Sequence, residues 1–358
     1  MVFSIPPKFR FTPARVAAPS FPLMISRLFL FLALPGLLTA AEPVTRIACG
    51  SCYKPKADRG IWPVIASTDP QLFLFMGDNV YADTEDMDRM RQSYAELLDR
   101  PDFAAFRDKV TILPVWDDHD YGENDAGADY PKRRESQQVF LDTFQFPADH
   151  PARRTPGIYH SYTQGPEGKR LQVILLDTRY FRSALERPRV NGRRTYVPNN
   201  DPKATMLGEA QWKWLESELR KPADLRLIVS SIQIITTEHR FEKWANLPLE
   251  RQRLFDLLKS TGANNVILLS GDRHLAEFAR ISAKESGLPD DLTELTASGM
   301  THAGAPNDQN RHRIGERYPG TNFGTLAIDW DADPRSVTLA IRDEKARVIQ
   351  EETVRFPK

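Results

Sequence analysis

Cysteine is nearly absent from this chain: two residues in 358, Cys49 and Cys52. A disulfide-stapled scaffold is thereby excluded, and a chain of this length buries a core without one. A dominant charge is missing too, with 48 Lys and Arg against 48 Asp and Glu. That balance gives no reason to expect nucleic acid or an anionic membrane as a stable partner. Long apolar runs are missing outside one segment, which excludes a polytopic membrane protein. Repeats and low-complexity linkers are also missing. The remainder is 41% hydrophobic, 10% aromatic and 27% charged, with a mean hydropathy of −0.46. This is the profile of a soluble globular chain, neither a coiled coil nor disordered.

The one strongly apolar run, residues 28–38, lies in a stretch with its own charge balance. Residues 1–41 hold Lys8, Arg10, Arg15 and Arg27 and no acid, leaving 44 bases against 48 acids in the rest. A basic flank, a short apolar run and Thr39-Ala40-Ala41 before Glu42 is the order of an export signal. Met24 offers an alternative start, since the segment from there alone makes a compact signal. The run is short for a membrane span, and no Cys directly follows residue 41, so no stable anchor is expected. The expectation is an exported chain, periplasmic or extracellular, with residues 42–358 as one domain.

Along that domain, apolar runs alternate with amphipathic stretches. Residues 71–76, 111–116, 171–176, 225–229 and 265–269 read as buried strands, as does the shorter 46–49. Residues 86–98, 208–219 and 249–260 have helical spacing, and the end of the chain (322–329, 336–342, 347–354) reads as sheet. Residues 281–317, rich in Gly, Pro and Asn, are expected to be mostly loop. The pattern is α/β.

Several of these strands end in short polar clusters: Cys49-Gly50-Ser51-Cys52, Gly77-Asp78-Asn79-Val80-Tyr81, Trp116-Asp117-Asp118-His119-Asp120 and Gly271-Asp272-Arg273-His274. In α/β proteins ligands collect where strand C-termini release the chain into loops. One such ending means little, because Asp often caps a helix; four suggest a built site. Converging carboxylates repel one another, and multivalent cations relieve that repulsion. Thiolate, phenolate and imidazole favour a transition metal, whereas carboxylates suit harder cations, so the set divides into a softer and a harder site. Cys49 and Cys52 are also spaced for a disulfide or redox pair, and spacing alone leaves that open.

Taken together and in this order, the clusters resemble the PhoD-like (alkaline phosphatase D) branch of the calcineurin-like metallophosphoesterases. Ser51-Cys52, Leu176-Asp177-Thr178-Arg179, Gln211 to Leu215 and Ser230 to Gln233 add to the likeness, which covers most of residues 45–302. The resemblance implies a four-layer αββα sandwich with two mixed sheets, an iron (Fe3+) site with Ca2+ or another divalent cation alongside, and hydrolysis of phosphate mono- or diesters. Carried over by motif, Cys52, Asp78, Tyr81 and His274 would form the softer site. Asp118 and Asp272 would form the harder one, with Asp78 shared. A metal-activated hydroxide would attack phosphorus and His119 would serve the leaving oxygen. Arg179 would hold a phosphate oxygen, or else pair with Asp177, and Asn124 and Gln233 are lesser candidates for the harder site or the substrate. Asp120 stands where the family more often has Glu. A small-molecule phosphate ester is the expected partner. A phospholipase-type diesterase, a non-catalytic metal- or phospholigand-binding domain, and a thiol oxidoreductase using both cysteines are the competing readings.

Overall fold

The uninterrupted apolar runs become strands buried on both faces, and that double burial sets the architecture. The structure, a computed structural model, describes residues 42–306 and 308–356; the expected export signal over 1–41 lies outside them. In chain order, β1 (Arg46–Gly50), β2 (Leu72–Met76) and β3 (Thr111–Val115) open a first sheet. A second sheet follows: β4 (His160–Gln164), β5 (Leu171–Leu175), β8 (Leu225–Ser230), β9 (Val266–Ser270), β10 (Ala276–Ile281), β11 (Leu292–Ala297) and β12 (Arg313–Tyr318). The small ribbon of β6 (Arg189–Val190) and β7 (Arg193–Arg194) stands apart. The chain then returns to the first sheet with β13 (Asn322–Asp329), β14 (Arg335–Asp343) and β15 (Val348–Phe356).

The orders are β15-β14-β13-β1-β2-β3 and β12-β10-β11-β9-β8-β5-β4. Parallel pairs form one side of the first sheet (β1-β2-β3, with β3 at the edge) and the middle of the second (β5-β8-β9-β11), and the remaining pairs are antiparallel, so both sheets are mixed. Helices α1 (Ile61–Ala66), α2 (Met87–Leu98), α3 (Pro101–Arg107), α4 (Asp118–Tyr121) and α5 (Arg133–Thr143) accompany the first sheet. Helices α6 (Gly208–Leu219), α7 (Pro248–Thr261) and the single turn α8 (Ala283–Ser286) accompany the second.

Strand periodicity distributes the layers. In β2, Phe73 and Phe75 meet Trp62 of α1 edge-on at 5.4 and 5.7 Å. Leu72, Leu74 and Met76 fall on the other face, in one core with Leu227, Val229, Ile267 and Leu269 of the second sheet. The alternate residues Ile228 and Leu268 pack with Trp212 and Leu215 of α6 and Leu254 and Leu258 of α7. The result is the four-layer αββα sandwich with two mixed sheets that the motifs imply.

One expectation is incomplete. Residues 281–317 are largely loop, but they also contain all of β11, a strand inside the second sheet, and most of β12 at its edge. Glu294 obscures β11 in the sequence, because a buried acid argues against a strand. Here its carboxylate accepts the backbone N–H groups of Ile234 and Ile235 at 2.9 and 2.7 Å, which satisfies it in place.

Candidate metal centre

Four loops meet where the two sheets are stitched together. Ser51, just past β1, forms an isolated parallel bridge with Ser298, just past β11. The next residues cross-link the loops: Cys52 N–H donates to Gly77 O, Tyr53 N–H to Asp78 O and His302 N–H to Cys52 O. Two glycines permit this approach. A Cβ on Gly77, whose φ is +95°, would lie 2.6 Å from Asp117 Cβ. A Cβ on Gly271 would lie 2.5 Å from Ser51 Oγ and 2.7 Å from the Met76 carbonyl.

Asp272 and His274 alternate along the chain, so an extended backbone would point them apart. The backbone turns instead, with φ of 65° at Asp272 and 54° at His274. The turn is made by these two residues, whereas Gly271 serves close packing. Cys52 (61°) and Asp78 (50°) are left-handed as well. Left-handed non-glycine backbone costs of order 1–3 kcal/mol per residue and collects at functional sites. Asp and His tolerate it better than most residues, while Cys52 has no such allowance.

The side chains gather accordingly. Cys52 Sγ is 3.4 Å from Asp78 Oδ2, and Tyr81 Oη donates to the same oxygen at 3.0 Å. Tyr81 Oη is also 3.2 Å from His274 Nε2. Ligand atoms of Cys52, Asp78 and His274 all lie within 4.8 Å of one another, as do those of Asp117, Asp118 and Asp272, and those of Asp78, Asp118 and His119. Asp78 thus belongs to the softer group and touches the harder one. All six sequence-derived ligand candidates are brought together.

The electrostatics fit a cation site. Burial, reinforced by Cys52 and Asp118, pushes Asp78 well above the ordinary carboxylate range. Burial and then Asp117 do the same to Asp272. Burial lifts the Cys52 thiol to about 11, and burial followed by Asp78 lifts the Tyr81 phenol well above its ordinary value. Burial, then His302 and Arg273, pushes His274 down to about 3, leaving the neutral ring that ligates. Asp78 Oδ1 is buried without a hydrogen-bond partner. A pocket of acceptors with an orphaned carboxylate oxygen is what multivalent cations would satisfy.

His119 stacks on Tyr81 with centroids 4.2 Å apart, and its Nδ1 lies 2.7 and 2.9 Å from the two Asp83 oxygens. Burial opposes charge on the ring, but Asp118, Asp78 and Asp83 raise its pKa to about 10. His302 lies beside His274, centroids 4.0 Å apart.

Three other candidates are placed differently from expectation. Arg179 is fully buried beneath the centre. It pairs with Asp117 and Glu242, each at 2.6 Å, and stands 4.0 Å from Asp118. Neither expected role holds for its guanidinium: it has no exposed fork for substrate and its partner is not Asp177. Gln233 is locked in a buried network, donating to Glu277 and Thr296 and facing His239. Asn124 is exposed, and the next residue reaches the centre instead, its backbone N–H donating to Asp118 at 2.6 Å. Cys49 and Cys52 are both free and buried; burial lifts the Cys49 thiol to about 12.

Sequence reasoning missed Asp83, Asp125, Glu242 and Lys54. Asp83 had a signal, two residues beyond Tyr81 in the same loop. Glu242 had none, because its partner Arg179 is 63 residues away. Cavity size is no guide either, since a hollow of about 500 Å³ between Leu98 and Gln145 holds none of these groups.

Known proteins resemble this chain in sequence or in fold. An alkaline phosphatase D of Bacillus subtilis (strain 168) is 25% identical over 249 residues, 62% of this chain and 40% of that relative, so the chain spans well under half of the relative's length. A solved structure titled "Structure of PhoD" superposes with a TM-score of 0.66 at 17% identity, covering 88% of this chain and 69% of that one. Another, titled "GAP50 the anchor in the inner membrane complex of Plasmodium", gives 0.55 at 13% identity, covering 88% and 90%. At such identities these two show the fold alone. The sequence model of one family, PhoD-like phosphatase, matches residues 45–326, most of the described chain, and the chain belongs to that family.

Proposed function

We propose that the chain hydrolyses phosphate esters, monoesters or diesters, with cations held at this centre. The observation that carries the reading is Asp78: a buried carboxylate with an unpartnered Oδ1, set between a thiol–phenol–imidazole group and an acidic group. By donor chemistry, Cys52, Tyr81 and His274 with Asp78 would hold a transition metal such as Fe3+, and Asp118 and Asp272 with Asp78 a hard cation such as Ca2+. Cations so bound lower the pKa of water and neutralise phosphate oxygens.

The chain's own residues complete the chemistry. Asp83 occupies His119 Nδ1, which leaves Nε2 to protonate or hydrogen-bond the departing oxygen. Tyr81 fixes the plane of that ring by stacking on it. Arg179 works from beneath, its charge opposing the rise that burial imposes on Asp117 and Asp118. The order of residues 1–41, or of 24–41 if Met24 is the start, supports an exported chain, and N-terminal sequencing of secreted protein tests that. Among the described residues no helix is long and apolar enough to cross a membrane.

The deciding experiment is turnover of an aryl phosphate and a bis-aryl phosphate by protein loaded with Fe3+ and Ca2+. Turnover should vanish on chelation and return on reloading. Activity that survives prolonged chelation would sink the reading.

A further inference from the structure

Beside Tyr81, the first sheet's loops and α2 enclose a groove of about 340 Å³, lined among others by Lys54, Lys56, Tyr81, Arg89, Ser93 and Glu96. This volume lies within the range of small-molecule sites, about 300–1,000 Å³. Its charge is opposite to that of the acidic centre. Three cations line it against one carboxylate, Glu96, which Lys56 already holds at 2.7 Å. Among the described residues, Lys54 and Arg89 have no ion-pair partner.

The two free cations are placed where the fold alone gives them no task. Lys54 lies two residues beyond Cys52, and its ammonium sits 4.2 Å over the Tyr81 ring, which joins the groove to the centre. Arg89 is in the first turn of α2, whose N–H groups Asp86 caps. A cation there opposes the helix dipole, so helix stability does not account for it. His119, which would serve the leaving oxygen, stacks on the same Tyr81 ring. Tyr81 is thus shared by the groove and by the group that would serve the leaving oxygen.

We propose that this groove binds a second anionic group carried by the leaving portion of the substrate, with Lys54 and Arg89 as its specificity-determining residues. The proposal rests on the hydrolytic reading and narrows it: the favoured esters carry a phosphate, phosphonate or carboxylate remote from the scissile phosphorus, as opposed to a neutral alcohol.

Binding of non-hydrolysable ligands tests this without turnover. Phenylphosphonate and 1,4-phenylenebisphosphonate are titrated calorimetrically into cation-loaded wild type, Lys54→Met and Arg89→Gln. The bisphosphonate should bind wild type at least tenfold more tightly, and raised salt should shrink that advantage because the groove is open to solvent. The advantage should fall below threefold in each variant. Equal affinities in wild type, or an advantage kept by both variants, would overturn the groove. Arg89 is exposed on α2, so Arg89→Gln remains informative even if Lys54→Met perturbs the neighbouring loop. Turnover of phenyl phosphate by wild type is read separately, so failure of the hydrolytic reading is not confused with failure of the groove.

Discussion

Two kinds of buried carboxylate stand side by side in this molecule. Asp120 accepts from the backbone N–H groups of Asp117, Asp78 and Asn79 and from the Asn79 amide at 2.6 Å. Asp177 accepts from Trp116 Nε1 and from the backbone of Ile158, Arg179 and Tyr180. In both, protein donors replace the water lost on burial. Asp78 by contrast has Tyr81 Oη as a donor to Oδ2 but leaves Oδ1 unpartnered, and the acids Asp117 and Asp118 press on both Asp78 and Asp272. Burial raises both kinds, Asp120 to about 7, but a carboxylate buried with its donors locks loops together, whereas one left short of them waits for charge from outside. The first kind should matter to stability whether or not cations are present, and the second only through them.

The largest effect should come from Asp78→Asn, which keeps the shape of the side chain and removes the shared charge. Cation content should fall at both sites and turnover of an aryl phosphate should drop to background. The cation-free variant should be at least as stable as the cation-free parent, because a repelled carboxylate has gone. Elemental analysis paired with urea unfolding in chelator reads both outcomes. A fully loaded variant, or one clearly less stable without cations, breaks the contrast. Next is His119→Ala, which should cost about 10²–10⁴ in turnover with cation content retained. Asp83→Asn should lose less. Asp83 helps hold the imidazolium, so its removal lowers the pKa of His119, and the alkaline limb of kcat/KM should move to lower pH. An unmoved limb would mean that Asp83 does not orient the acid.

Asp177→Asn tests the other kind. An amide turns donors toward the donors of Ile158 or Tyr180 and should cost about 1–3 kcal/mol. Urea unfolding should give the same loss in cation-loaded and chelated protein. A loss confined to the loaded form would move Asp177 into the centre.

How far this contrast was legible in the sequence follows from where each partner lies. The parallel strands other than β11, and the clusters that hold the six ligand candidates, were readable because each is a local statement: an apolar run, then a donor in the next few residues. The donors that distinguish Asp120 and Asp177 from Asp78 were not readable, being supplied from loops up to 61 residues away. The same reason hid the role of Arg179, for which the motif suggested a phosphate oxygen and the adjacent Asp177 an ion pair, until Asp117 and Glu242 closed over it. It also hid β11, because Glu294 reads as a loop residue until the N–H groups of Ile234 and Ile235 arrive.

The smallest predicted effect concerns a buried titratable group remote from the centre. His160, in β4, packs against Phe146 with centroids 5.1 Å apart, and its Nδ1 lies 3.0 Å from the Ile158 carbonyl. Burial pushes its pKa down to about 4, only partly countered by that carbonyl, with His150 adding to the depression. The unfolded chain binds the proton near pH 6.5 and the folded chain does not until about 4. Stability from this group is therefore intact above about pH 6.5 and is lost as the pH falls toward 4, by roughly 2 kcal/mol at pH 5. Other buried acids titrate in the same window, notably Asp117 and Asp125, both lifted to about 6 chiefly by burial, so the comparison must be with a variant. His160→Phe keeps the packing and removes the proton site; between pH 7 and 5 it should lose about 2 kcal/mol less than the parent in urea unfolding. The difference should be the same with cations loaded or chelated, because His160 belongs with the groups that the fold itself accommodates. Parallel pH profiles for parent and variant would remove it from that class.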